Sequence, residues 1–496
     1  MEIVKEVLQI AHILKEGGHK AYLVGGCVRD LLLEKAPKDW DVATDAKPEQ
    51  IQGLFPDSVY ENEFGTVGVK TDSENPSLKV VEVTTFRKEE GYSNKRHPDR
   101  VEFTSEIEED LARRDFTINA LALDLLEEKS LIDPFGGQKD LENKIIRSVR
   151  DPEQRVLEDA LRLMRAVRFY AQLGFEIEEG TELAIKEHSA SLQHISKERI
   201  RTELEKLLMG DWGHKGVEKM HELGLLTHVI PELEEGVDCE QNMHHVYSVF
   251  EHNLKSLEYA VSEKFPLHIR LAALLHDVGK PRTRQWKASP KGQKIREGEP
   301  GDWTFYAHQV LGAKMTKEIL SRLTFPKDLI KKVALLVYEH MFVYDPEMVS
   351  LAGVRRLLAR VGEENIDDLI DLRKADRIGS GVPKAQPYRL RHLLAMIEKV
   401  RTDPISVKML KVSGQDLQKE LGLEPGPLFG MLLDILLAEV LEDPDKNAKE
   451  ILLARAGELS QMDLKKLSAM RADSRQSAQT AQEAIDEEIK KKYFVS

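Results

Sequence analysis

The sequence predicts an α+β protein in which a β-sheet head at the N-terminus is followed by helical regions. Short β-rich apolar runs bounded by polar turns lie at residues 21–24, 38–44, 64–70 and 78–86, whereas from residue 145 onward the strand character disappears and the chain becomes helical. A chain of 496 residues is also too long for one hydrophobic core. We therefore expect four parts, at residues 1–145, 146–230, 231–395 and 396–496.

The composition excludes several classes of protein. The charged fraction is 32% and the net charge −14, which argues against indiscriminate DNA coating but leaves room for a local RNA-binding patch. Cys27 and Cys239 are far apart and lack CxxC or Cys/His spacing, so neither a disulfide framework nor a zinc knuckle is expected. No apolar run reaches membrane-spanning length, and the N-terminal amphipathic segment contains acids that a signal peptide lacks. We expect a cytoplasmic protein with no DNA or membrane partner; the oligomeric state stays open.

The first functional segment begins with a predicted buried strand at residues 21–24. The strand breaks at Gly25 and Gly26, where the missing side chains let backbone amides approach a ligand closely. Residues 28–34 have helical character, so a helix N-terminus and Arg29 would face the same point. This arrangement predicts phosphate binding.

Two carboxylates follow in a second predicted strand, residues 38–44. Asp39 and Asp41 are two positions apart and would project from the same face of that strand. Adjacent carboxylates repel each other unless a cation neutralises them, and hard oxygen ligands near phosphates suit Mg²⁺. In the β-rich run at residues 78–86, Glu82 lies on the polar face and is a candidate third carboxylate. An ordinary edge-strand glutamate is an equally good interpretation.

The rest of the head contains a predicted loop and a charged cluster. Residues 87–100 combine turn residues and charge without periodicity, which predicts a mobile loop. Arg113, Arg114 and Asp115 are packed among apolar residues, and each guanidinium needs acceptors for five donors. The cluster indicates an anionic or hydroxyl-bearing ligand, with a salt-bridged surface turn as the alternative.

Residues 147–168 hold six arginines, no lysine and four acids. Arg162, Arg165 and Arg168 recur every third residue and would lie along one helix face, with Asp159 one turn earlier on the same line. Arginine without lysine favours bidentate recognition over a merely solvated face. A carboxylate and a guanidinium at this spacing could match the hydrogen-bonding edge of a base.

Six ordered motifs in about 200 residues resemble the class II tRNA nucleotidyltransferases, the CCA-adding enzymes and their bacterial poly(A) polymerase relatives. They are GGCVRD at 25–30, DWD at 39–41, VEVTTFR at 81–87, RRDFTINALA at 113–122, EDALRLMRAVRF at 158–169 and SKERIRTEL at 196–204. The resemblance implies a polymerase-beta-like nucleotidyltransferase head, with two-metal transfer from CTP and ATP to the 3′ end of tRNA.

The resemblance also implies roles for individual residues. Asp39, Asp41 and Glu82 would hold Mg²⁺, and Gly25, Gly26 and Arg29 would meet the triphosphate. Arg114 and Asp115 would contact the sugar side, Asp159 and Arg162 would select the base, and Arg165 and Arg168 would support the phosphates or that pair. Three alternatives stay open: an A-adding or CC-adding specialist, a poly(A) polymerase, and an RNA-binding phosphohydrolase with an inactive head. The full-length 87–100 segment argues against CC-only addition, and intact Asp39 and Asp41 argue against an inactive head.

The middle of the chain contains a second set of metal-type residues. In order these are His252, His276, Asp277, His308, His340 and Asp376. Imidazole and carboxylate ligands suit Mn, Fe, Ni, Co or Mg, and an open site would activate water for phosphoester hydrolysis. The set resembles an HD-domain phosphohydrolase, which implies that all six are ligands. Residues 280–296 contain seven basic residues and no acid, so this loop is a candidate for holding RNA or a phosphorylated substrate. A plain insertion is the alternative.

The last hundred residues are predicted to be helical. Residues 412–443 resemble the tRNA-binding tail of the bacterial nucleotidyltransferases. Residues 462–496 are polar and lack a convincing apolar stripe, which predicts a frayed or isolated helix without an assigned role.

Overall fold

The computed structural model describes residues 3–60, 65–91, 100–125, 130–241, 246–288, 301–401 and 410–495. The chain divides into two compact units. The first consists of Met1–His340 with Asp367–Pro383, and the second of Met341–Ile366 with Lys384–Ser496. Within the described ranges, no helix has both the length and the apolar character needed to cross a membrane. The predicted β-sheet head followed by helical regions is confirmed.

The head is built on a seven-stranded mixed sheet with the strand order β3-β4-β5-β2-β1-β8-β9. Its strands are β1 (Tyr22–Val24), β2 (Asp41–Thr44), β3 (Ser58–Tyr60), β4 (Thr66–Lys70), β5 (Val80–Thr85), β8 (Ala122–Asp124) and β9 (Leu131–Ile132), and β6 (Arg87–Glu90) pairs with β7 (Arg100–Phe103) in a separate ribbon. The helices of the head are α1 (Lys5–Glu16), α2 (Gly26–Leu32), α3 (Pro48–Leu54), α4 (Ile107–Ala112) and α5 (Gly137–Asn143).

The register of the central strands positions the carboxylates. Strands β2 and β5 are parallel, and Asp41 lies directly beside Glu82. Val42 and Val83 on these strands are fully buried, because alternate side chains of each strand point into the core. The opposite face therefore carries the acids, as the sequence pattern predicted for Glu82.

Two expectations for the head need correction. Strand β2 begins at Asp41, so Asp39 precedes the strand rather than lying within it. The predicted loop at 87–100 has strands at both ends, since β6 and β7 pair from Arg87↔Phe103 to Glu90↔Arg100. Charged side chains on a largely exposed ribbon hide the alternation by which strands are recognised. Residues 92–99 of that loop lie outside the described residues.

The neck is helical apart from one short parallel pair of strands. Its elements are β10 (Ile145–Ile146), α6 (Pro152–Glu158), α7 (Leu161–Leu173), β11 (Glu176–Ile177), α8 (Glu179–Glu187), α9 (Lys197–Leu208), α10 (Gly213–Glu222), α11 (Leu226–Val229) and α12 (Pro231–Glu234). Asp159 does not lie on the same helical line as Arg162, contrary to the prediction. It occupies the break between α6 and α7 with extended backbone angles, φ −139° and ψ 103°.

The region with the metal-type residues contains four long helices of the first unit. They are α13 (Val249–Ser262), α14 (Leu267–Leu275), α16 (His308–Arg322) and α17 (Lys327–Glu339), accompanied by α15 (Lys280–Thr283) and a hairpin of β12 (Gln285–Ala288) and β13 (Gly301–Thr304). After α18 (Leu351–Val361) in the second unit, α19 (Ile366–Gly379) returns to the first. Residues 289–296 of the predicted basic loop lie outside the described residues.

The second unit has its own hydrophobic core. Beyond α18 it consists of α20 (Tyr388–Arg401), α21 (Gly414–Leu421), α22 (Pro427–Glu442), α23 (Lys449–Ser460) and α24 (Leu464–Tyr493). The expected frayed or isolated terminal helix is wrong. Helix α24 buries Leu467 and Ile489, and Arg471 bonds Asp434 of α22 at 2.7 Å. Lys492 bonds Glu398 of α20 at 2.9 Å, so ion pairs accompany the few buried apolar residues of the helix.

Candidate active site and metal centre

A cavity of about 580 Å³ lies between the head and the first neck helices. Its walls contain eight arginines and five carboxylates, an excess of positive charge that attracts anions. Every predicted head and neck site residue lines it except Gly25 and Glu82. The lining residues are Gly26, Arg29, Asp39, Asp41, Arg87, Glu89, Arg113, Arg114, Asp115, Asn119, Asp159, Leu161, Arg162, Arg165, Arg168, Phe169 and Arg199.

Gly25 leaves space for the side chain of Arg114 near Asp41 in this cavity. Its φ is +77°, and a Cβ at this position would lie 2.6 Å from Nη1 of Arg114 and 3.8 Å from Oδ2 of Asp41. Any side chain would strain the backbone and displace the guanidinium. Glycine at position 25 therefore leaves space for the side chain of Arg114, a requirement that the sequence motif did not reveal.

The environment of Asp41 favours a bound cation. Burial raises the pKa of the Asp41 carboxyl, and the neighbouring Asp39 raises it further, against the lowering effect of Arg114. A divalent cation would relieve both the burial and the repulsion. Glu82 lies beside Asp41 in the sheet register but does not line the cavity. Among the described residues, the groups that offer three metal-ligand atoms within 4.8 Å of one another are both elsewhere.

Arg29 is oriented by a hydrogen-bonded chain across the cavity wall. It donates from Nε to Asp30 at 2.9 Å and from Nη1 to Asn119 at 2.8 Å. Asn119 in turn donates to Asp115 at 3.1 Å. Both ends of Arg29 are thus held within the protein, which fixes the direction of its guanidinium.

The Arg113–Asp115 cluster divides between two networks. Arg113 and Arg114 both pair with Asp110, which is only 1% exposed, at 2.9 and 3.4 Å. Asp115 pairs instead with Arg165, whose Nε donates to Oδ2 at 2.6 Å. The alternative interpretation of this cluster, a salt-bridged turn, therefore agrees with the contacts of the arginines inside the protein. Arg113, Arg114 and Asp115 nevertheless all line the cavity.

The neck residues predicted to select the base have separate partners. Asp159 receives two hydrogen bonds from Arg199, at 2.7 and 3.3 Å. Arg162 donates to Glu158 at 2.8 Å and to the carbonyl of Arg113 at 2.9 Å. The two therefore share the cavity without bonding to each other.

Arg165 and Arg168 are fixed by acids behind the cavity. Besides its bond to Asp115, Arg165 lies 3.9 Å from Glu203, and Arg168 approaches the same glutamate at 2.5 Å. Sequence reasoning missed Arg199, Glu203, Asp110 and Asn119. Two of them, Arg199 and Glu203, fall within the SKERIRTEL motif, which could have identified them; for Asp110 no local signal existed.

Asp115 should contribute pH-dependent stability. Burial would raise its pKa, but the charge of Arg165 and the hydrogen bonds from Asn119 and Arg165 hold the pKa well below its usual value. Such a group adds stability above its unfolded-state pKa of about 3.9, and the contribution is lost as the pH falls through the folded-state value. We expect wild type to lose more free energy of unfolding than Asp115→Asn between about pH 7 and about pH 3 in urea titrations. Equal losses would contradict the assignment.

The second constellation forms one buried cluster in the first unit. Helix α13 supplies His252, the end of α14 supplies His276 and Asp277, the start of α16 supplies His308, the residue after α17 is His340, and α19 supplies Asp376. All six are at most 7% exposed. The fold therefore brings together every metal-type residue that the sequence singled out.

Asp277 joins two groups of potential metal ligands. One group is His252, His276 and Asp277, and the other is Asp277, His308 and His340. Oδ2 of Asp277 lies 3.2 Å from His252 and 3.4 Å from His276, whereas Oδ1 lies 3.3 Å from His308. Asp376 lies 3.3 Å from His252, on the side of the first group.

The imidazole tautomers fit metal binding. In His276, His308 and His340, Nδ1 lies 2.9, 2.8 and 2.6 Å from a backbone carbonyl, to which it must donate. Nε2 is then an acceptor in a neutral ring, and the Nε2 atoms of His308 and His340 face each other at 3.3 Å. Two acceptors at this distance need a cation or a proton between them. His276 differs, because against the effect of burial Asp277 and Asp376 raise its pKa to about 10, so that this ring carries a second proton when no metal is bound.

The ring of His340 supports a metal ion here, whereas the ammonium of Lys280 competes with a metal ion for Asp277. Burial and the neighbouring His276 lower the pKa of His340 to about 3, so this ring is in its neutral, metal-binding form. Lys280, which the sequence analysis placed only in a basic loop, extends its ammonium to 2.6 Å from Asp277 and to 2.6 Å from Gln241.

Three protein families match successive parts of this chain. Residues 21–147 match the family described as "Poly A polymerase head domain", residues 174–236 match "Probable RNA and SrmB- binding site of polymerase A", and residues 244–380 match "HD domain". The CCA-adding enzyme of Geobacillus thermodenitrificans is 31% identical over 457 residues, which cover 91% of this chain and 96% of that enzyme. This chain belongs to the CCA-adding enzyme family.

Two further members of the CCA-adding enzyme family support this assignment. The enzyme of Bacillus cytotoxicus is 41% identical over 302 residues, covering 60% of this chain and 70% of the relative. The crystal structure of the Bacillus stearothermophilus CCA-adding enzyme in complex with CTP superimposes with a TM-score of 0.58 at 28% identity, covering 92% of this chain and 96% of that one. The resemblance inferred from the six motifs is confirmed, and with it the class of enzyme, a nucleotidyltransferase.

Proposed function

We propose that this chain adds CCA to the 3′ end of tRNA from CTP and ATP, acting in the cytoplasm. The observation that carries the proposal is a single cavity containing Asp39, Asp41, Asp159 and eight arginines, in a member of the CCA-adding enzyme family. The positive excess suits a nucleoside triphosphate, and the 28% identical relative was solved in complex with CTP.

The head carboxylates are suited to divalent cations, which we take to be Mg²⁺. Asp39 and Asp41 would hold them, with Glu82 as a further ligand from the adjacent strand. When bound, the cations would make the RNA 3′-hydroxyl a better nucleophile and neutralise the leaving pyrophosphate. The raised pKa of Asp41 in the cation-free protein is the physical support for this assignment.

The protein's own groups bind and orient the reactants. Gly26 and Arg29 would meet the triphosphate, and Arg114 and Asp115 the sugar side of the nucleotide. The 3′-oxygen of the RNA then bonds to the α-phosphorus while the bond from that phosphorus to pyrophosphate breaks. Because the arginines are already paired with acids in the protein, they need little reorganisation during the transfer.

The choice of product distinguishes this proposal from its closest alternatives. A tRNA transcript ending at the nucleotide before CCA would be incubated with CTP, with ATP and with both. We expect two additions with CTP and three with the mixture, read on a sequencing gel. Addition of A alone, of CC alone, or of a long A-tract would support an A-adding enzyme, a CC-adding enzyme or a poly(A) polymerase instead.

Asp159→Ala and Arg162→Ala should blur the discrimination between CTP and ATP. Residues that hydrogen-bond to the edge of a base distinguish one base from another. The ratio of kcat/KM for the correct triphosphate to kcat/KM for the incorrect one should therefore fall by about tenfold, whereas the KM for either triphosphate should change less. Single-turnover addition to tRNA ending in C or CC measures the ratio. Arg147→Ala is a matched control, because Arg147 pairs with Asp140 and does not line the cavity. If the variants lose activity equally with all triphosphates, Asp159 and Arg162 form structural ion pairs and do not select the base.

The buried histidine cluster supports a second activity, metal-dependent phosphoester hydrolysis. His and carboxylate ligands that share Asp277 suit Mn²⁺, Fe²⁺, Ni²⁺, Co²⁺ or Mg²⁺, which would activate water. The water oxygen bonds to phosphorus, the bond from phosphorus to a ribose oxygen breaks, and that oxygen takes a proton. The substrates we propose are phosphomonoesters and 2′,3′-cyclic phosphates, forms of damage at RNA ends.

A further inference from the structure

The hairpin of β12 and β13 carries an exposed aromatic surface next to the histidine cluster. Tyr306 is 66% exposed and Trp286 43% exposed, and the two lie at the same hairpin. The ring of Trp286 contacts that of Trp303 across the hairpin, with centroids 5.0 Å apart. The cross-strand contact stabilises the hairpin but leaves the ring of Tyr306 uncovered.

The chain path ties this surface to the cluster. Tyr306 is two residues before His308, whose Nδ1 bonds the carbonyl of Phe305 at 2.8 Å. Ala307 between them is left-handed, with φ +58°, a conformation that a non-glycine residue adopts only when its surroundings impose it. Two residues span at most about 7 Å between Cα atoms. The backbone of Tyr306 therefore lies close to that of His308, at the edge of the histidine cluster.

Cations accompany the aromatic rings. Nζ of Lys287 lies 5.6 Å from the Tyr306 ring centre and 3.3 Å from its hydroxyl. The guanidinium of Arg284 lies 3.7 Å from the centre of the Trp303 ring. Aromatic faces with neighbouring cations are the features by which proteins hold single-stranded nucleic acid, through base stacking and phosphate contacts. Because the whole chain has a net charge of −14, cations beside exposed aromatic rings do not follow from its overall composition.

We propose that the hairpin binds the 3′-terminal nucleotide of a single-stranded RNA end, with its base stacked on Tyr306 and its terminal phosphate directed to the histidine cluster. Trp286 extends the stacking surface, and Lys287 neutralises the backbone phosphate. The inference rests on the proposed phosphohydrolase function and narrows its substrate to nucleotides rather than phosphomonoesters in general. Hydrolysis of a 3′-phosphate there would release a 3′-hydroxyl, the group that nucleotide addition requires.

The kinetic test compares two substrates in the full-length protein. One is a trinucleotide ending in a 3′-phosphate, and the other is glycerol 2-phosphate, which has no base. Tyr306→Ala should raise the KM for the trinucleotide by about tenfold, within the range for one lost base stack, and leave glycerol 2-phosphate unaffected. Tyr306→Phe keeps the ring and should stay near wild type. Tyr60→Ala, at a 43% exposed tyrosine of the head, is the matched control.

A binding measurement keeps the inference testable without hydrolysis. The fluorescein-labelled trinucleotide is titrated in EDTA and followed by anisotropy, with the same variants. A roughly tenfold weaker Kd for Tyr306→Ala, restored by Tyr306→Phe, supports base stacking. Equal Kd values for wild type and Tyr306→Ala, or equal weakening by both variants, overturn it. If wild type hydrolyses neither substrate with any metal, the phosphohydrolase proposal fails, and the Kd comparison still decides the role of the hairpin.

Discussion

Replacing Asp41 with alanine is expected to reduce CCA addition by at least about a hundredfold, and Asp39→Ala should do the same. Removing one ligand of a catalytic cation costs several kcal/mol of transition-state stabilisation, and each 1.4 kcal/mol is about tenfold in rate. Single-turnover transfer from labelled CTP to tRNA measures the loss. Asp57→Ala is a suitable control, because that head carboxylate is 79% exposed and pairs with Lys70 on the surface.

Loss of activity must be separated from loss of structure. Because the folded protein raises the pKa of Asp41, the ionised carboxylate opposes folding above that pKa, and the effect is relieved as the pH falls. Asp41→Asn should therefore melt at a higher temperature than wild type in EDTA near neutral pH. An inactive variant with a raised melting temperature would show that the Asp41 carboxylate is needed for catalysis and not for folding, whereas a variant keeping more than about a hundredth of the wild-type rate would contradict the two-metal assignment.

Joint replacement of His276 and Asp277 by alanine is expected to abolish phosphoester hydrolysis while nucleotide addition stays within about twofold of wild type. The cavity of the head and neck and the histidine cluster are lined by different residues, so the effects should be independent. Release of phosphate from p-nitrophenyl phosphate and opening of 2′,3′-cyclic AMP would be followed with Mn²⁺, Ni²⁺, Co²⁺ and Mg²⁺ in turn. Metal content of the purified protein is the second readout.

The double variant removes two buried groups and leaves Lys280 without its carboxylate, so a milder change is needed beside it. His308→Gln removes a ligand from one of the two groups that share Asp277. Its metal content should fall without reaching zero, and hydrolysis should fall with it. Absence of turnover with all four metals, and absence of metal in wild type, would leave the histidines as core residues of a spacer.

Much of the fold was predictable because it follows local rules. Alternating valines in β5 and the helical spacing after residue 145 record which faces are buried, so the β-sheet head and helical remainder were predicted correctly. The ribbon of β6 and β7 was missed because both of its faces carry charged side chains, including the largely buried pair Arg87 and Glu89 that lines the cavity. The packing of helix α24 was not predicted because only a few apolar residues, such as Leu467 and Ile489, are buried, together with ion pairs such as Arg471–Asp434.

The sequence by itself determined which residues are candidates for the chemistry. The paired aspartates, the neck arginines and the six metal-type residues are recognisable from residue type, order and spacing. Tertiary structure alone decided their partners. Asp159 bonds Arg199, 40 residues away, and Arg165 bonds Asp115, 50 residues away, and neither pairing leaves a local pattern. The bridging position of Asp277 likewise depends on five helices meeting around it. Spacing along the sequence predicts contacts only within one helix or strand. Which cationic side chain pairs with a given carboxylate depends on the distance between the two after the elements have packed.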